Sequence, residues 1–172
     1  MSNKLFCWIL FIVLSIIWGS SFILMKIGME KLSPYQVASL RILSAGLVLI
    51  PFAWKAWKQI PKKKMPVVVM SGLFGSFFPA FLYCLAETKI DTALAAILNS
   101  LTPVFAIIIG VSFFNLKITK QKIAGVIIGF IGLLLLPFAA NKAINLSDVS
   151  YSALVLIATI FYGINVNMVS KH

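Results

Sequence analysis

Acidic residues are nearly missing from this chain, which has four Asp and Glu in 172 residues against fifteen Lys and Arg. Those acids are Glu30, Glu87, Asp91 and Asp148, and none lies well inside an apolar run. The single histidine, His172, ends the chain, and the two cysteines, Cys7 and Cys84, fall within apolar runs. These shortages exclude several functions. Intramembrane hydrolases and transferases need positioned Ser/His pairs, paired Asp or metal ligands, so no enzyme activity, metal centre or cofactor is expected. Two cysteines in apolar sequence read as packing residues, not as a disulfide framework. Without an acid well inside an apolar run there is no obvious proton relay. No ring-forming filter sequence occurs, so a channel is not expected either.

What is present is hydrophobicity. The chain is 61% hydrophobic, only 11% charged, and has a mean hydropathy of +1.04, well beyond a soluble domain. Six apolar segments can be drawn: 5–25, 34–54, 66–86, 92–114, 122–140 and 150–169. At 1.5 Å per residue each covers roughly 27–35 Å, close to the hydrocarbon thickness of a bilayer. They do not alternate as barrel strands do, so the expected fold is an all-α integral membrane protein of about six transmembrane helices. The net charge of +11 does not point to nucleic acid, because the lysines lie between apolar runs; the expected partner is the lipid bilayer. The run after Lys4 is long for a signal peptide and lacks a small-x-small cleavage site, so an uncleaved helix is expected.

The lysines sort by side. Lys4, Lys55, Lys58, Lys62, Lys63, Lys64, Lys117, Lys120, Lys122 and Lys171 fall on one side of the membrane. The other side holds Lys26, Lys31, Lys89 and Lys142 together with all four acids. The positive-inside rule puts the richer side, with the N-terminus, in the cytoplasm.

Several breaks interrupt the apolar runs. In the first segment Trp18-Gly19-Ser20-Ser21 fits either a packing notch or a cavity wall. Arg41 lies seven positions past Pro34, about 10 Å into the second segment. Such a charge either snorkels to the interface or faces a wet or ion-paired interior, and Glu87 and Asp91 are the acids on its side. Gly72, Gly75 and Pro79 interrupt the third segment, and a mid-span proline kinks a helix and frees a carbonyl. In the fourth, Thr92, Ala96, Asn99, Pro103, Ala106 and Gly110 form one small or polar stripe. That stripe reads as tight packing with Asn99 as polar glue, or as a substrate-facing wall. Gly125, Gly129 and Gly132 make a ridge suited to a close helix crossing in the fifth segment. Asn145-Leu146-Ser147 matches a glycosylation sequon, a frequent chance match. Tyr162-Gly163-Ile164-Asn165 repeats, in segment six, the aromatic–glycine–polar break of segment one. Five helices separate the two copies, so a second copy would be inverted, as in alternating-access transporters.

The order WGSSFILMK, VASLRILSAGLVLI, ALAAILNSLTPVFAIIIG and TKQKIAGVIIGFIGLLLL resembles the EamA family of the drug/metabolite transporter superfamily. The resemblance covers residues 5–140, a five-helix repeat, with 150–169 as the first helix of an apparently truncated second repeat. It implies a carrier of small metabolites such as amino acids, often an exporter, multi-pass in the plasma membrane. Trp18, Gly19, Arg41, Pro103 and Gly125 match recurrent positions of that family. The substrate-cavity candidates are Trp18, Ser21, Arg41, Pro79, Asn99 and Pro103; Gly19, Gly110, Gly125 and Gly129 are the helix-packing candidates. Where the family often has Gly-Glu after its fourth helix this chain has Asn115-Leu116, which leaves that loop basic. The family pattern is ten helices. The chain therefore reads as a truncated product, or as a half whose missing repeat comes from a homo- or hetero-oligomeric partner, and its sixth helix is expected to lack a bundle of its own. A non-transporting membrane scaffold is the alternative.

Overall fold

The computed structural model describes residues 3–139 and 149–171, and all regular structure among them is helical. The helices are α1 (Asn3–Gly28), α2 (Pro34–Trp57), α3 (Met65–Gly72), α4 (Phe78–Ala86), α5 (Thr92–Asn99), α6 (Thr102–Phe114), α7 (Lys120–Ala139) and α8 (Val149–Lys171). Among the described residues, five helical stretches are long and apolar enough to cross a membrane: Lys4–Gly28, Pro34–Trp57, Lys62–Ala86, Thr92–Phe114 and Val149–Lys171. The protein is a multi-pass membrane protein. Lys142, Asp148, His172 and the Asn145 sequon lie outside the described residues.

Local chemistry explains the element ends. Ser33 and Gln36 form a reciprocal capping box at the start of α2, with Pro34 in the first turn. Asp91 caps α5 by accepting from the Ala93 N–H at 2.7 Å. α6 closes at Asn115 in the left-handed region, φ 53°, while the Leu116 N–H reaches the Gly110 carbonyl at 2.9 Å. Asparagine tolerates that conformation better than most residues other than glycine, so Asn115 can end the helix in this way. α1 runs to Gly28, so Lys26, just past the end of the segment 5–25 drawn from sequence, belongs to the helix.

Two spans are not continuous α-helix. The third contains a π-helical turn, Leu73–Phe77, after which α4 restarts with Pro79 in its first turn. The wider turn gives room to a ring that would otherwise collide with the carbonyl one turn back. The fourth, drawn from sequence as one segment, breaks at Ser100–Leu101 between α5 and α6. Pro103 cannot donate to the Asn99 carbonyl; the Thr102 hydroxyl does so instead, at 2.7 Å.

The sixth apolar segment is not left without a bundle. α8 packs most extensively against α6 and α4, and further against α5 and the π turn. Its small and polar face allows this. A Cβ on Gly163 would stand 3.0 Å from the main chain at Phe105 and Ala106 of α6, so only glycine admits so close an approach. Asn165 accepts from the Ser71 hydroxyl at 2.7 Å and covers Gly75. Asn167 donates to the carbonyls of Ala106 at 2.7 Å and Gly163 at 2.8 Å.

Candidate functional site

The buried core joins Met25 of α1, Val37 and Ala38 of α2, Tyr83, Cys84 and Ala86 of α4, Ala95 of α5, and Val155 and Ala158 of α8. Polar groups are built into it at two levels. At the broken turn of the fourth span, the Tyr83 hydroxyl donates to Asn99 Oδ1 at 2.5 Å, and Thr102 Oγ1 lies 3.3 Å from the same oxygen. The Tyr83 ring stacks on Tyr162 of α8, centroids 6.2 Å apart, and meets Phe22 of α1 edge-on at 5.7 Å. Tyr83 thus ties α1, α4, α5 and α8 together.

The second level lies one residue past the third span. Glu87 is fully buried, and neither carboxyl oxygen has a hydrogen-bond partner. Burial, opposed by Lys26 and Arg41, pushes its carboxyl up to about 7. Lys26 Nζ donates to the Glu87 main-chain carbonyl at 2.7 Å, at the C-terminal end of α4, where a cation is favoured. The Arg41 guanidinium is directed at Met25 Sδ, to which the Cys84 thiol also donates at 3.7 Å.

The sequence-derived candidates are distributed unevenly. Asn99 takes part in the Tyr83 centre, and Arg41 sits beside Glu87. Pro79 is buried on α4, whereas Pro103 is exposed. Trp18 is 70% exposed and points away from the bundle, and the Ser21 hydroxyl bonds back to Trp18 in its own helix. Gly110 is tightly packed, since an added Cβ would fall 2.5 Å from Asn167 Oδ1. Gly19, Gly125 and Gly129 have open space beside them, as does Gly132. An open groove of about 700 Å³ runs between α2 and the third span, lined by Tyr35, Gln36, Ser39, Phe77 and Phe81 among others; none of the cavity candidates borders it. Sequence reasoning missed Tyr83, Asn167 and the burial of Glu87, which caps the C-terminal end of α4. The spacing Ala80, Tyr83, Cys84, Glu87 carries the buried face of α4 through to the acid, and that was the available signal.

Discontinuous apolar helices with a few polar groups between them, and α8 docked across them, define a multi-pass helical membrane protein. A model of the EamA-like transporter family matches residues 5–138, and the chain belongs to that family. Among relatives, an uncharacterized transporter of Archaeoglobus fulgidus is 34% identical over 137 residues, 78% of this chain and 49% of that protein. A probable amino-acid metabolite efflux pump of Salmonella typhimurium is 26% identical over 126 residues, 70% of this chain and 39% of the relative. The uncharacterized inner membrane transporter YedA of Escherichia coli K12 is 29% identical over 146 residues, 84% and 46% of the two chains. The chain spans about half the length of the curated relatives it matches. No solved structure matches it.

Proposed function

We propose that this chain carries small metabolites such as amino acids across the plasma membrane, outward, with its N-terminus in the cytoplasm. The observation that carries the reading is the Tyr83–Asn99–Thr102 centre at the broken fourth span. Broken backbone at membrane depth persists where protein covers it or where it lines a cavity, and in carriers such breaks supply substrate contacts. Outward movement of amino acids is supported by the relative named a probable amino-acid metabolite efflux pump, and the plasma membrane by the one named an inner membrane transporter. The lysine bias supports the orientation.

In this reading α7 is a further span, giving six, and residues 5–140 form one five-helix repeat. Residues 150–169 begin a second, inverted repeat. Trp18, Ser21, Arg41, Pro79, Asn99 and Pro103 contribute to the substrate path, and Gly19, Gly110, Gly125 and Gly129 to helix packing. The open faces of Gly125 and Gly129 leave room for another repeat or a second chain of a homo- or hetero-oligomer. The test is counterflow of a radiolabelled amino-acid mixture into liposomes holding the chain. The expected result is flux above empty liposomes, reduced about tenfold by Asn99→Ala, a change of about 1.4 kcal/mol in the barrier. Flux no greater than in empty liposomes favours a scaffold instead.

A further inference from the structure

Burial of a carboxyl group away from every partner costs far more when the group is charged than when it is neutral. Glu87 meets that condition, since it is fully buried and both its oxygens lack a hydrogen-bond partner. Two cations stand near it, yet neither takes it up. Lys26 from α1 is spent on the Glu87 main-chain carbonyl, and Arg41 from α2 is turned to Met25 Sδ. An ionised carboxylate would draw at least one of them, because a charge-assisted pair is far stronger than a bond to a thioether or an amide carbonyl. The remaining titratable neighbours cannot substitute. Tyr83 and Cys84 share α4 with Glu87, and Tyr83 donates to Asn99 while Cys84 faces Met25. From α8, Tyr162 stacks on Tyr83, and at the start of α5 the exposed Asp91 caps its own helix. The arrangement is that of a neutral acid.

We propose that Glu87 is a proton-binding site, which holds its proton in the arrangement seen and releases it when Arg41 moves from Met25 Sδ to the carboxylate. The O–H bond of the acid breaks, the proton passes to water, and the carboxylate forms an ion pair with the guanidinium; no other bond changes. Met25 belongs to α1, Arg41 to α2 and Glu87 lies at the end of α4. The exchange therefore moves the Arg41 side chain from a contact with α1 to one with the end of α4, the helix against which α2 already packs. In a carrier such a proton serves as the coupling ion. That use rests on the transport reading above, whereas the proton site does not. Burial places its titration near neutrality, about 7, with Lys26 and Arg41 acting against burial.

The experiment is infrared difference spectroscopy of the full chain in liposomes from about pH 5 to about pH 9, a window that brackets the ordinary and the raised carboxyl values. The expected result is a carboxylic-acid C=O band that disappears with a midpoint near 7 and is absent from Glu87→Gln. Arg41→Gln moves that midpoint upward by about one pH unit, because the cation that favours ionisation is gone. This variant also carries the test should Glu87→Gln fail to fold. A band that titrates in the ordinary carboxylate range, survives Glu87→Gln, or keeps its midpoint in Arg41→Gln overturns the proposal. A chain that shows the band but moves no amino acid loses the transport reading and keeps the proton site; transport without the band does the reverse.

Discussion

Glu87 shows how far one residue departs from its place in the sequence. Read along the chain it belongs to a short polar turn with Thr88, Lys89 and Asp91. In the fold it continues the buried face of α4, because the helix holds its register through Tyr83 and Cys84 until the carboxyl lies under α1 and α2. Arg41 was readable as a costly charge, and its nearness to Glu87 follows from the acids on its side of the membrane. Its attachment to Met25 was not readable, since a thioether carries no charge signal. A stability test follows from the acid. The folded-state value, about 7, lies above the ordinary 4.5, so the contribution of the neutral group is complete below the ordinary value and is lost as pH rises through about 7. Between about pH 5 and about pH 8 thermal stability in detergent falls by about 2–3 kcal/mol, and Glu87→Gln flattens that slope. An equal pH slope in wild type and variant would show that other groups are responsible.

Helices were the most legible elements, because length and hydropathy leave few alternatives in a bilayer. The interior of each span was less so. Pro79 and Pro103 both announced a break, but they resolve differently: a π turn before Pro79, and a full stop at Ser100–Leu101 before Pro103. The choice depends on neighbours, Asn165 against Ser71 and Gly75 in one case and the Thr102 hydroxyl in the other. Glycines were ambiguous for the same reason. The ridge in α7 looks like a packing face, yet Gly129 has open space, while Gly163 lies against the main chain of α6. Gly163→Leu should therefore cost about 1–3 kcal/mol by overpacking and detach α8 from α6, whereas Gly129→Ala should be within about 0.5 kcal/mol of wild type. Thermal midpoints of the two variants in detergent check this, and equal midpoints would mean that α8 is not docked as described.

For the whole molecule, composition established a multi-pass helical protein and residue order established the family, but neither placed α8. Its docking onto α4 and α6 follows from Gly163, Asn165 and Asn167 meeting facing carbonyls, hydroxyls and glycines, a complementarity visible only in three dimensions. That docking closes one side of the Tyr83–Asn99 centre through Tyr162. Whether the other side opens to water decides between a carrier and a packed bundle. The direct measurement is labelling of Asn99→Cys by a membrane-impermeant maleimide, in a Cys7→Ser background because Cys7 is exposed while Cys84 is buried. The carrier account predicts that Asn99→Cys is labelled in intact liposomes and that an amino acid supporting counterflow slows the labelling. Full labelling in denaturant with none in the folded protein would contradict it, leaving Asn99 a packing residue in a dry interior.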